Sequence, residues 1–109
     1  MIIYDLEWNA DEKKVARSAF DKAYQREIEE IKNALKEKVT SLQNEKDVWT
    51  IHDYLSKRRN LADKKYDYRY SQLILVFSQL MREGYLTEAD LFGLSDDKIE
   101  IIKNLADNK

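Results

Sequence analysis

Between Asn9 and Leu42 apolar side chains recur three and four residues apart: Phe20, Tyr24, Ile28, Ile31, Leu35, Val39 and Leu42. At roughly 100° per residue these positions fall within an arc of about 100°. The residues between them are mainly Lys, Glu, Arg, Asp, Gln and Asn. The pattern predicts one amphipathic helix ending near Leu42. Its start is predicted at Asn9 and Glu12, which have the spacing of a capping box. About 33 residues of helix extend roughly 50 Å, whereas a compact domain of this size is about 35 Å across. The helix is therefore expected to protrude, carrying its apolar stripe with it. An exposed stripe of that length is costly, so a second copy of the chain is expected to cover it. The alternative is that later helices fold back over it. Ile28, Ile31, Leu35, Val39 and Leu42, joined by Val48, are the expected dimer interface.

Asn44 is a candidate cap for a second helix, with Asp47 in its first turn. Val48, Ile51, Leu55, Ala62 and Tyr66 share one face, and the helix is expected to continue to about Tyr70. A third helix is expected over about Ser71 to Glu83, closed by Gly84. The run Leu73–Phe77 could also be a buried strand, but Leu80 and Met81 extend the helical spacing. Thr87 with Asp90 predicts a short fourth helix, and Ser95 caps a fifth that reaches about Ala106. There is no proline, and Gly84 and Gly93 are the only glycines, which disfavours a turn-rich β fold. The expectation is a single all-α domain over residues 1–109: a stalk over about 9–70 and a compact head over about 71–109.

Composition narrows the chemistry. The chain has 109 residues, of which 43% are hydrophobic and 37% charged, as in a folded, highly soluble helical protein. It lacks cysteine, which excludes disulfides, thiolate nucleophiles and Cys-based zinc sites. No apolar run approaches the roughly 20 residues that span a bilayer, and Met1 to Trp8 is too short and acidic for a secretory signal. A cytoplasmic location is the default expectation. His52 is the only histidine, so a transition-metal site is not expected. Ser56 lies four residues beyond it, but no glycine-rich oxyanion loop accompanies them. No catalytic residues, metal, cofactor or small-molecule substrate are expected. Lys57, Arg58, Arg59, Lys64, Lys65 and Arg69, interleaved with Tyr66, Tyr68 and Tyr70, could hold phosphates and stack bases. Against nucleic acid stand the net charge of −2, the acidic flanking helices and the absence of a known motif.

Two positions point instead to protein binding. Trp49 lies roughly 125° from the centre of the second helix's apolar face. His52, Asp53 and Arg59 fall on its side, within an arc of about 120°. Tryptophan and arginine with hydrogen-bonding neighbours make a candidate hot spot; packing of Trp49 against the first helix or a dimer partner is the competing reading. On the third helix Leu75 points about 160° away from the face formed by Leu73, Ile74, Phe77, Leu80 and Met81. It is either covered by the fifth helix, through Ile101 and its neighbours, or exposed for a partner.

These residues together resemble the fluorescence recovery protein family. The first helix carries Ala23-Tyr24-Gln25-Arg26-Glu27 and the second Trp49, His52-Asp53, Leu55-Ser56 and Arg59, in the family's spacing. Lys65-Tyr66-Asp67, Arg69, Val76-Phe77, Gln79-Leu80, Glu83-Gly84 and Asp97-Lys98 continue the match, which starts at about residue 10. The resemblance implies an all-helical homodimer without a cofactor. It implies a regulator that binds the C-terminal domain of the light-activated, red orange carotenoid protein. Such a regulator promotes detachment from the phycobilisome and speeds return to the orange form, which ends photoprotective quenching. It implies a cytoplasmic setting that can lie peripheral to the thylakoid membrane. Trp49, His52, Asp53 and Arg59 would contribute to that action or to the adjoining dimer. Leu75 and Ile101 stand where the family usually has Phe and Lys, positions associated with partner contact. A helical relative serving a different signalling protein, or a small nucleic-acid binder, are the other function classes.

Overall fold

The computed structural model describes residues 6–107. Residues 1–5, most of the Met1–Trp8 opening, and residues 108–109 lie outside the described residues. The chain runs α1 (Ala10–Thr40), α2 (Glu45–Lys65), α3 (Leu73–Arg82), a 3-10 turn (Glu88–Leu91) and α4 (Asp96–Asp107). The fold is all-α.

Both long helices begin where their caps predict. The Glu12 N–H donates to Asn9 Oδ1 at 2.8 Å, and the Asn9 N–H donates to Glu12 Oε1 at 3.2 Å. Asn44 and Asp47 make the same reciprocal pair for α2, at 3.1 and 3.3 Å. These contacts satisfy N–H groups that a helix start leaves without partners. Gly84 closes α3 with φ +89°, and the Lys98 N–H donates to Ser95 Oγ at 3.3 Å at the start of α4. Thr87 and Asp90 do form a capping box, but it opens a 3-10 turn rather than an α-helix.

α2 stops at Lys65, short of the expected Tyr70. The cause is aromatic packing. The chain leaves the helix at Tyr66 (ψ 80°). Tyr66 then meets Phe20 and Tyr24 edge-on at 5.4 and 5.1 Å, Tyr68 meets Phe20 at 4.9 Å, and Tyr70 lies 5.8 Å from Trp8. A continued helix would spread these rings around its circumference; the extended segment directs them to α1.

The core is built on the short helices. Leu73, Ile74, Phe77, Leu80, Leu91 and Ile102 are fully buried. α1 meets them through Ala16, Ala19, Phe20 and Ala23, small residues that let its backbone approach closely. On the wheel these positions, with Glu12 and Glu27, form a face about 100° wide that adjoins the predicted stripe at Phe20. The beginning of α1 therefore belongs to the head and its remainder to the stalk. The molecule measures 52 × 28 × 24 Å, with a radius of gyration of 16.7 Å, above the ~13 Å of a compact domain this size.

Candidate protein-binding surfaces

A buried ion cluster fastens stalk to head. Glu27 is 4% exposed, and its carboxylate accepts from Arg58 Nη2 at 3.0 Å, Lys65 Nζ at 2.6 Å and the Tyr66 hydroxyl at 2.8 Å. Lys65 also meets Glu83 at 2.6 Å, and Arg58 meets Glu30 at 3.2 Å and the Tyr85 hydroxyl at 3.3 Å. Burial pushes the Glu27 pKa upward, but the donors from Lys65, Tyr66 and Arg58 outweigh it and hold the carboxyl below its ordinary value. Glu30 is lowered by Tyr85 and Arg58. The Tyr85 hydroxyl is pushed up to about 12 by burial and its bond to Glu30. The head has a similar clamp. Glu12 accepts the Ser95 N–H at 2.8 Å and Lys98 Nζ at 3.1 Å, joining the starts of α1 and α4. The sequence reading missed Glu12, Glu27 and Lys98 as buried groups. The available signal was the helical spacing Glu12–Ala16–Ala19–Ala23–Glu27, a small-residue face ending in carboxylates.

This cluster changes the picture of the basic stretch. Arg58 and Lys65 turn inward to Glu27, Arg59 lies 3.8 Å from Asp63, and Arg69 pairs with Asp67. Four cations that could have tracked a phosphate backbone are thus matched by carboxylates of the chain itself.

By contrast, α2 contributes no residue to the apolar core, and only the Lys65 side chain at its end is enclosed. Trp49 is 58% exposed, and its ring stands edge-on to His52 with centroids 6.3 Å apart. His52 Nδ1 is 3.3 Å from Asp53 Oδ1, so these three side chains form one exposed group. Arg59 is on the same side, about 15 Å along the axis from Trp49 and about 9 Å from Asp53. It lies instead at the rim of a hollow of about 480 Å³ between α1 and α2, floored by Tyr24, Ile28, Ile31 and Leu55. The residues expected at a dimer interface all remain uncovered to some degree. Ile28, Ile31 and Leu35 are half-buried, Leu42 and Val48 are exposed, and Val39 is 54% exposed. α2 runs back beside α1 and covers the stripe only in part. In the head Leu75 is 46% exposed and Ile101 half-buried.

Among the described residues no group of three or more His, Cys, Asp or Glu side chains converges as a metal site. None of the described helices is long and apolar enough to cross a membrane.

An elongated helical protein whose exposed features are an apolar stripe, an uncovered tryptophan and a few apolar side chains is a protein-interaction module. The comparisons make the class specific. Residues 8–106 match the family described as photoprotection regulator fluorescence recovery protein. The fluorescence recovery protein of Synechocystis sp. (strain ATCC 27184 / PCC 6803 / Kazusa) is 38% identical over 99 residues, 91% of each chain. Among solved structures, that of the Fremyella diplosiphon fluorescence recovery protein superposes with a TM-score of 0.87 at 38% identity, over 92% of this chain and 98% of that one. The Synechocystis protein gives the same score, identity and coverage. An arginine-to-lysine mutant of it also scores 0.87, at 37% identity. The chain belongs to the fluorescence recovery protein family, the photoprotection regulators.

Proposed function

We propose that this protein is a non-enzymatic homodimeric regulator. It binds the activated, red form of the orange carotenoid protein through that protein's C-terminal domain, promotes its release from the phycobilisome and speeds its return to the orange form. The observation that carries the reading is α2: a helix of 21 residues, none of them part of the apolar core, with Trp49 58% exposed beside His52 and Asp53. In a family of photoprotection regulators, such a surface is suited to recognising another protein.

Two surfaces divide the work. The stripe Ile28, Ile31, Leu35, Val39, Leu42 and Val48 takes the second copy, which also covers the hollow beneath Arg59. The Trp49, His52, Asp53 and Arg59 face and the head pair Leu75 and Ile101 take the carotenoid protein. To accelerate relaxation, the dimer must bind the transition state between the separated and closed partner domains more tightly than the starting state. To drive detachment, its binding and antenna binding must oppose each other, a negative coupling.

The test is the dark recovery of photoactivated orange carotenoid protein, timed by absorbance with and without this protein. Acceleration by wild type, and its reduction in Arg59→Lys with helicity and oligomeric state unchanged, is the expected outcome; lysine cannot reproduce a bidentate guanidinium–carboxylate contact. An unchanged recovery time with wild type would overturn the assignment of partner. Full acceleration by Arg59→Lys would remove Arg59 from the contact.

A further inference from the structure

Among the described residues Phe92 has the highest exposure of the large apolar side chains, at 67%. Scattered surface apolar residues need no explanation, but the backbone here is fixed from several sides while the ring stays in solvent. Arg26 of α1 holds the preceding turn. Its Nη1 donates to Asp90 Oδ2 at 2.6 Å and to the Tyr85 carbonyl at 3.0 Å, and its Nη2 donates to Asp90 Oδ1 at 3.2 Å. Leu91 on one side and Leu94 on the other are buried in the core. Gly93 has φ +111°, and a Cβ there would lie 2.5 Å from Val15 Cγ2, so this backbone sits directly on α1. The segment is thus ordered before any partner arrives, which lowers the entropy cost of using Phe92 as a contact.

The ring lines a hollow of about 300 Å³ between α1 and the 3-10 turn, together with Lys14, Val15, Ser18, Lys22, Ala89 and Asp90, whose carboxylate is held by Arg26. Lys14 and Lys22 make no ion pair among the described residues. Most of the acids around them are already matched, Asp21 to Arg17 at 3.3 Å, Asp90 to Arg26 and Glu88 to Lys103 at 3.1 Å, which leaves Asp11, three residues before Lys14 on the same face, to offset part of their charge. The two lysines stand eight residues apart on one helix face, about 12 Å along the axis, with Val15 and Ser18 between them. A chain whose net charge is −2 therefore carries, at this place, a local excess of positive charge around an ordered aromatic ring.

We propose that this hollow is a docking site for an acidic helix of another protein, with its apolar face on Phe92 and Val15 and its carboxylates on Lys14 and Lys22. A second copy of this chain, using the same patch about a twofold axis, would set lysines against lysines. The surface lies on α1 and the 3-10 turn, apart from the Trp49 face on α2 and from Leu75 on α3. It does not depend on the identity of the partner bound there.

The probe is a fluorescein-labelled helical peptide with two glutamates about two turns apart and a leucine between them on one face. Anisotropy with the full chain should show saturable binding that weakens with salt. Phe92→Ser should weaken it about tenfold or more, as loss of a central aromatic contact does, while leaving the melting temperature unchanged. Lys14→Glu with Lys22→Glu, both on the exposed helix surface, should abolish binding whatever Phe92→Ser does to stability. A peptide with the leucine replaced by glycine should bind about tenfold more weakly. Backbone amide shifts should centre on Val15, Ser18, Lys22 and Ala89. No saturable binding by wild type, equal binding by both variants, or shifts centred on α2 or α3 would overturn the proposal. So would equal displacement of the peptide by a single-stranded oligonucleotide, which would identify the hollow as a phosphate site.

Discussion

Replacing Glu27 with Ala removes the centre of the cluster that joins α1, α2 and the head. The Lys65 side chain is 7% exposed and that of Arg58 20%, so neither can recover its hydration without movement. Removing one member of a buried ion pair costs about 3–5 kcal/mol. Two compensations remain: Glu83 stays 2.6 Å from Lys65, and Glu30 stays 3.2 Å from Arg58. The Tyr66 hydroxyl, however, loses its acceptor at 2.8 Å. The expected net loss is about 2–4 kcal/mol. For a chain of this length, at 4–8 °C per kcal/mol, the melting temperature should fall by about 8–32 °C. Circular dichroism melts, run at one fixed protein concentration because oligomerisation shifts the midpoint, measure this directly. Glu27→Gln, which keeps the shape but turns amide hydrogens toward the cations, should also destabilise. A Glu27→Ala protein melting within about 3 °C of wild type would show that the cluster contributes no net stability and would refute the reasoning.

Val39→Glu should place two like charges in the proposed apolar dimer interface at a cost of several kcal/mol, giving monomers by light scattering at micromolar concentration; a fully dimeric variant would count against the interface. Leu75→Glu, at a side chain 46% exposed, should fold with a stability change below about 1 kcal/mol yet slow carotenoid protein recovery. Leu75→Phe with Ile101→Lys should strengthen that activity and its salt dependence; unfolding of Leu75→Glu would make Leu75 a core residue. Gly93→Ala should cost about 2–4 kcal/mol, since φ +111° disfavours alanine and its Cβ meets Val15. Adding Val15→Ala should recover part of that loss, and a melting temperature unchanged in Gly93→Ala would contradict the close approach. On acidification Glu12, Glu27 and Glu30 have folded pKa values below the unfolded 4.5, and Asp90 is held at about 2 by Arg26. Their stabilisation is complete above the unfolded values and is lost as pH falls through the folded ones. Melting temperature should therefore hold down to about pH 5 and then decline, the Asp90 contribution going last; a rise between about pH 5 and 3 would be the wrong sign.

The sequence by itself determined the helices, because their signals are local. Asn9 with Glu12 and Asn44 with Asp47 fix two starts through reciprocal hydrogen bonds that span one turn. Gly84 fixes an end, and the Phe20-to-Leu42 stripe fixes a helix too long for a compact domain. The resemblance carried by Trp49, His52, Asp53 and Arg59 was legible for the same reason: it lies in a few residues at fixed spacing. What tertiary structure decided is which of two adjoining faces of α1 goes where. The alanines at 16, 19 and 23 are weak hydrophobes and disappear beside Ile and Leu on a wheel, yet they are the face that enters the head, because α3 and the 3-10 turn need close approach rather than bulk. Glu12, Glu27, Arg58, Lys65 and Lys98 read as solvated charges, since charge in a sequence says nothing of its partner. Their partners lie 18 to 86 residues away, and only the folded chain brings opposite charges near enough to offset burial. The early end of α2 has the same origin: Tyr66, Tyr68 and Tyr70 could continue a helix, but Phe20 and Tyr24 of α1 and Trp8 just before it offer them more when the backbone opens.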